Sequence, residues 1–127
     1  GEFLESDDGA NLLAGAKRAA NILGIEEKKE NRTVDQPYEI KLLKADEEVA
    51  LAAAIESARQ DTAAAINVEN FTGAMNALAD LRAPVDAFFE KVTVNAPEPE
   101  LRENRLRLLS EIRQVTQNVA DFSRIAG

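Results

Sequence analysis

Apolar residues recur along most of this chain in steps of three and four, the spacing that gathers them on one side of an α-helix. The pattern is clearest near the end, where Leu101, Leu108, Ile112, Val115, Val119 and Phe122 predict a helix from about Glu100 past Val119. Upstream, Phe71, Met75, Leu78 and Leu81 mark one short helix, and Val85, Phe88, Phe89 and Val92 mark the next. Pro84 suits the first turn of that second helix, where a missing N–H costs nothing. Asp46, Glu47 and Glu48 open a longer helix reaching about Ile66, with acid placed favourably for its dipole. Alanines at 50, 52, 53, 54, 58, 63, 64 and 65 favour that helix and permit close approach by neighbours.

The leading segment 10–23 is also helical. Leu12, Leu13, Ala16, Ala19, Ala20 and Leu23 fall near one face, and Lys17, Arg18 and Asn21 lie off it. Asp7 or Asp8 is placed to cap its start, and Gly24 to stop it. Glu26 to Gln36 is polar and charge-dense and reads as a loop or linker running to Pro37; Tyr38–Leu43 reads as extended chain or a short turn. Ala96-Pro97-Glu98-Pro99 is a break. No strand pattern competes, so the expectation is an all-α bundle of about five helices. By segment, residues 1–3 (Gly-Glu-Phe) read as an expression scar, 4–25 as a leading helix, 26–45 as a polar loop or linker, and 46–127 as the helical core. The acidic, turn-rich residues 4–9 lead straight into helix, as in a piece excised from a longer protein.

Composition narrows the chemistry. At 127 residues, 45% hydrophobic and 30% charged, the chain suits one globular domain. No apolar run approaches the roughly 20 residues of a membrane span. No basic segment leading into an apolar stretch marks a signal peptide. Cysteine and histidine are absent, which excludes disulfides, thiolate and imidazole metal sites, and Ser–His–Asp, Cys–His or histidine acid–base catalysis. Carboxylate pairs such as Asp46/Glu47 and Glu98/Glu100 invite an acid–base or metal role, but they sit at helix starts, where the dipole accounts for them. No catalytic residue and no metal ligand is expected, and a binding or structural module is favoured over a self-contained enzyme. Fifteen Lys and Arg against 23 Asp and Glu give a net −8, which argues against non-specific nucleic-acid binding over the whole surface. Residues 101–127 carry five basic and three acidic side chains, so they are +2 and the remainder −10. A polyanion must therefore be met locally.

The segment Ala79-Asp80-Leu81-Arg82 followed by Pro84-Val85-Asp86-Ala87-Phe88-Phe89 resembles the DALR anticodon-binding domain of aminoacyl-tRNA synthetases. The longer run A-L-A-D-L-R-A-P-V-D-A-F-F-E-K-V (77–92), Arg102-Glu103-Asn104-Arg105-Leu106-Arg107-Leu108-Leu109, and N-L-L-A-G-A-K-R-A-A-N-I-L (11–23) together resemble the C-terminal region of bacterial glycyl-tRNA synthetase (glycine–tRNA ligase) β subunits. The resemblance covers most of the chain and is least distinctive over 26–45. It implies a cytoplasmic enzyme that joins glycine to its tRNA using ATP, with the adenylate-forming site in a separate α subunit. This piece would bind glycine-specific tRNA, beside the α subunit and the rest of the β subunit. It would bind no cofactor, meet no membrane and catalyse nothing alone; no glycine-rich phosphate loop is visible.

Anticodon loops are read as splayed bases, by stacking and edge hydrogen bonds, with cations on the phosphates. Arg102, Arg105 and Arg113 cluster beside the apolar stripe of the last helix, with Asn104 and Gln114 nearby, while Arg107 points elsewhere. These five are the first candidate contacts, against a solvated face with i,i+4 ion pairs. Lys17, Arg18 and Asn21 are the second group, against surface or interdomain packing. Arg82, in the motif itself, lies near Asp80 and Asp86 and suits an ion pair fixing the helix junction as well as a tRNA contact. Phe88 and Phe89 belong to an apolar face, and Tyr38 is the aromatic expected outside the core. The rival functions are a helical protein–protein or interdomain module and an arginyl-type DALR domain.

Overall fold

The computed structural model describes residues 7–126, with side chains placed for 13–125. Gly1–Phe3, the capping roles of Asp7 and Asp8, and the side chain of Leu12 lie outside what it describes. Five α-helices follow in chain order: α1 Asp7–Glu30, α2 Asp46–Asn67, α3 Phe71–Ala79, α4 Arg82–Lys91 and α5 Pro99–Ala126. A single 3₁₀ turn, Ile40–Leu42, interrupts the segment between α1 and α2, and the described residues contain no strand. Only Asp80 and Leu81 separate α3 from α4, so the bundle can equally be counted as four rods, one of them bent.

α5 is the axis. Residues 104–106, 108–110 and 112 are all buried, so this stretch is enclosed on nearly every side. Beyond it the buried positions reduce to Val115, Val119 and Phe122, a single stripe at helical spacing. α1, α2 and α3 pack along α5, and α4 fits between α1 and α2. Phe88, Leu51, Ile55, Met75, Leu23 and Val85 fill the centre with Leu106, Leu109 and Ile112. Burial of each large side chain contributes roughly 1.5–3 kcal/mol. On α2, Leu51, Ala52, Ile55, Ala58, Thr62 and Ala65 face inward at steps of three and four, so the alanine-rich inner face admits α3 and α4 closely. The small-residue rule extends to Gly15, where an added Cβ would sit 3.4 Å from Val85, at the crossing of α1 and α4.

Gly24 does not stop α1. No described glycine has positive φ, and the helix runs on to Glu30. The stop is Asn31 at φ 53, with Arg32 N–H on Glu27 O (3.1 Å) and Asn31 N–H on Lys28 O (3.4 Å), a Schellman ending. The polar run therefore begins as helix, not as a loop. α2 ends the same way at Glu69, φ 57, with Asn70 N–H on Ala65 O (2.8 Å). Asn70 then caps α3 by accepting from Gly73 N–H at 2.9 Å.

Candidate functional site

Residues 31–45 lie across the first half of α5 and are fastened to it from both sides. Arg113 makes a two-pronged pair with Glu27 (2.7 and 2.9 Å), whose Oε2 also accepts from Val34 N–H at 2.8 Å. The Ser110 hydroxyl donates to Val34 O at 2.6 Å, and Val34 is buried. Asn104 grips the backbone of Glu39, accepting from its N–H at 2.7 Å and donating to its O at 3.0 Å. Glu111 accepts from Tyr38 N–H at 3.0 Å and also pairs with Arg59 of α2. Arg107 donates to Glu103 (3.2 Å) and to Pro37 O (3.3 Å).

The C-terminal end of α1 is held by the same helix. Arg102 reaches Glu30 at 2.5 Å, Glu26 at 3.5 Å and Asn95 Oδ1 at 3.0 Å. Arg32 bridges Glu30 (2.8 Å) and Glu103 (2.5 Å). Hydrogen bonding from Arg113 holds the Glu27 carboxyl below its ordinary range, and Glu27 in turn raises Arg113. Arg32 similarly lowers both Glu30 and Glu103. Deepest is Arg105, which donates to Glu48 Oε1 at 3.0 Å and to Thr93 O at 2.7 Å. The same Glu48 oxygen accepts from Ala45 N–H at 3.0 Å, so the acid at the start of α2 is a buried cap as well as a counter-charge.

The candidate residues of α5 thus come together, but facing inward. Asn104 and Arg105 are 1% and 9% exposed. An RNA-facing patch made of these two is not what the fold presents, because the Glu39 backbone covers Asn104 while the start of α2 and Thr93 enclose Arg105. Arg102 and Arg113 are partly exposed, each with its guanidinium on a glutamate of α1. Arg107, about 140° around α5 from Arg102, takes partners that the other three do not, Glu103 and the Pro37 carbonyl. Gln114 is exposed and donates to Asn118 Oδ1 (3.0 Å), one turn on. Tyr38 packs against the core, and burial raises its hydroxyl pKa. The partners missed from the sequence are Glu27, Glu48, Ser110 and Glu111. Their bonds span 57 to 86 positions along the chain in the pairs Glu48–Arg105 and Glu27–Arg113, and no local spacing announces such contacts.

Lys17, Arg18 and Asn21 are exposed on the outer side of α1. The Arg18 guanidinium lies over the Phe89 ring, 4.4 Å from its centre, while Phe88 is fully buried. Arg82 pairs with Asp86 at 3.6 Å, one turn further along α4. Lys17 and Arg113 line a groove of about 310 Å³ between α1 and α5, with Leu13, Ala16, Thr116 and Gln117. A second groove of similar size lies between Thr33–Pro37, Arg59 and Gln114.

Residues 12–122 match the family model described as the DALR anticodon binding domain. The chain belongs to that family. This DALR domain is 55% identical over 126 residues to the glycine–tRNA ligase beta subunit of Rhodospirillum centenum. It is 50% identical over 125 residues to the subunit of the same name from Phenylobacterium zucineum. Each alignment covers 98% of this chain but 18% of the relative, so the chain spans about a fifth of the length of the curated relatives it matches. No described helix of the DALR domain is long and apolar enough to cross a membrane.

Proposed function

We propose that this DALR domain recognises the anticodon of glycine tRNA as part of a glycine–tRNA ligase β subunit. The observation that carries the reading is the 55% identity extending over 98% of the chain, with the family's match spanning nearly all the described helices. The domain's part is binding alone. Attachment of glycine with ATP belongs to other parts of the enzyme, in the cytoplasm, with the α subunit and the rest of the β subunit as partners. Glycine codons begin G-G, so the matching anticodons end in two cytosines. Their N4 donor and O2 and N3 acceptors suit side-chain amides and arginine. Among the candidates, Lys17, Arg18, Asn21 and Gln114 are exposed and ready to meet RNA. Arg102 and Arg113 reach it only by exchanging a glutamate for a phosphate or base.

The test is an NMR titration of the chain with glycine tRNA at low salt, beside the same tRNA with both anticodon cytosines replaced. Resonance shifts that weaken with the altered anticodon support recognition. Equal shifts with both reduce the domain to electrostatic contact. No shift with either favours the interdomain role, for which Ile125 (88% exposed), Ile40 (78%), Val68 (69%), Ile25 (56%) and Val49 (52%) are exposed apolar contact points.

A further inference from the structure

The three acids of α1 whose side chains are described, and the cations of that helix, are segregated around it. At about 100° per residue, Lys17, Asn21, Ile25, Lys28, Arg18 and Lys29 fall within an arc of about 120°. Glu26, Glu30 and Glu27 fall on the opposite side, against α5, where Arg102, Arg32 and Arg113 hold them. Lys29 retains a 3.6 Å contact with Glu26. Among the described residues no carboxylate oxygen comes within ion-pair distance of Lys17, Arg18 or Lys28. A chain of net −8 thus keeps one helical face free of acid over about 16 Å, the axial rise from Lys17 to Lys28. Lys28 and Lys29 are in the last turn, where the dipole favours cations; Lys17 and Arg18, more than two turns earlier, have no such reason to be there.

Arg18 adds a second observation. Its head is fixed by the Phe89 ring and not by a carboxylate, so it is held in place without spending its N–H donors. A fixed guanidinium with unspent donors is prepared for a two-pronged bond to a phosphate.

We propose that the outer face of α1 is a phosphate-binding ridge for RNA, with Arg18 as its anchor and Lys17 and Lys28 to either side. The assignment rests on the tRNA-binding reading above and deepens it: α1 contacts the backbone and positions the RNA, and base reading is left to other residues. Backbone contacts carry no sequence information, so they contribute equally to matched and altered anticodons.

The experiment measures affinity for the two tRNAs, unaltered and cytosine-replaced, across a salt series. It compares the 127-residue chain with Lys17→Ala/Arg18→Ala/Lys28→Ala and with Phe89→Leu, each checked for helical content. The triple variant is expected to lose roughly 10-fold or more in affinity for both RNAs alike, and the slope of log K on log salt to fall by about 2. Phe89→Leu, which keeps every charge but frees Arg18, is expected to lose about two- to fivefold with the slope unchanged. Unchanged affinity and slope in the triple variant overturn the ridge, as does a loss confined to the unaltered anticodon. An unchanged affinity in Phe89→Leu removes Arg18 as a preorganised anchor. If the unmodified chain binds both RNAs equally and the triple variant weakens both, anticodon recognition fails and the ridge stands. If it binds neither, both are overturned.

Discussion

The buried pair Glu48–Arg105 offers the sharpest test of how this domain holds its central helix. The Glu48 side chain is fully buried and that of Arg105 is 10% exposed, with 3.0 Å between Oε1 and Nη2. Glu48→Gln keeps the size of the side chain and an oxygen able to accept from the Ala45 N–H, so the change removes mainly the charge. What remains is an interior guanidinium without a counter-charge, hydrogen-bonded to a neutral amide oxygen and to the Thr93 carbonyl 2.7 Å away. Breaking one member of a buried ion pair typically costs 3–5 kcal/mol. The Thr93 bond and the residual exposure of Arg105 place this case near the lower end, at about 3 kcal/mol. For a chain of this length that is a fall of roughly 10 °C in Tm. Among the described residues Glu48 Oε2 and Arg105 Nε have no hydrogen-bond partner, so the pair itself is far from an optimal contact. Removing both charges, in Glu48→Gln/Arg105→Met, should therefore cost at least about 2 kcal/mol less than the sum of the two single changes. Urea unfolding followed by far-UV circular dichroism at pH 7, with m compared across the four proteins, gives each number. A single-variant loss below about 1 kcal/mol, or simple additivity, would refute the reasoning.

Two further outcomes follow from the helix ending and its clasp. Gly24→Ala is expected to stabilise the chain by about 0.5–1 kcal/mol, because the residue is helical and an added Cβ meets nothing within 4 Å; a lower urea midpoint would show that α1 is not continuous there. Glu27, Glu30 and Glu103 have folded pKa values below the ordinary 4.5, so the unfolded chain binds more protons between the two values. Their stabilisation is present above about 4.5 and lost as pH falls through the lowered values. Tyr38 is the sole tyrosine and sits on the clasped segment, so its fluorescence should change at a higher pH than the far-UV signal of the bundle. Coincident transitions would contradict a clasp that releases first.

The helices were legible wherever apolar spacing set them. The stripe from Leu108 to Phe122, the acid start of α2, Pro84 in the first turn of α4 and the break at 96–99 all stand as the sequence implies. The end of α1 was not legible, because glycine is a stop only when the chain turns left-handed there, and at Gly24 it does not. What carries α1 on to Glu30 is a set of carboxylates whose arginine partners lie more than 70 residues away. The same distance hid the site. Arg102, Arg105 and Arg113 do share one side of α5, as their spacing requires, but spacing says nothing of what covers that side. Residues 31–39 read as a linker from composition, yet Val34 is an apolar plug at 2% exposure, and Asn104, Ser110 and Arg113 all hold the backbone around it.

Charge usage then explains why an acidic domain can still meet a polyanion. Of the arginines on α5, 102, 105, 107 and 113 each have a glutamate, so they contribute little long-range field toward solvent. The glutamates they neutralise come from α1, α2 and α5 itself, and Glu26, Glu27 and Glu30 are drawn away from the outer face of α1. Reversing one of these pairs should therefore act at a distance on RNA binding. Arg113→Glu would free Glu27 and add a further acid beside the groove that Lys17 lines, turning a neutral wall anionic next to the cationic ridge. The clasp and the ridge are two sides of one arrangement: inward carboxylates fix the fold and, among the described residues, leave Lys17, Arg18 and Lys28 without an ion-pair partner.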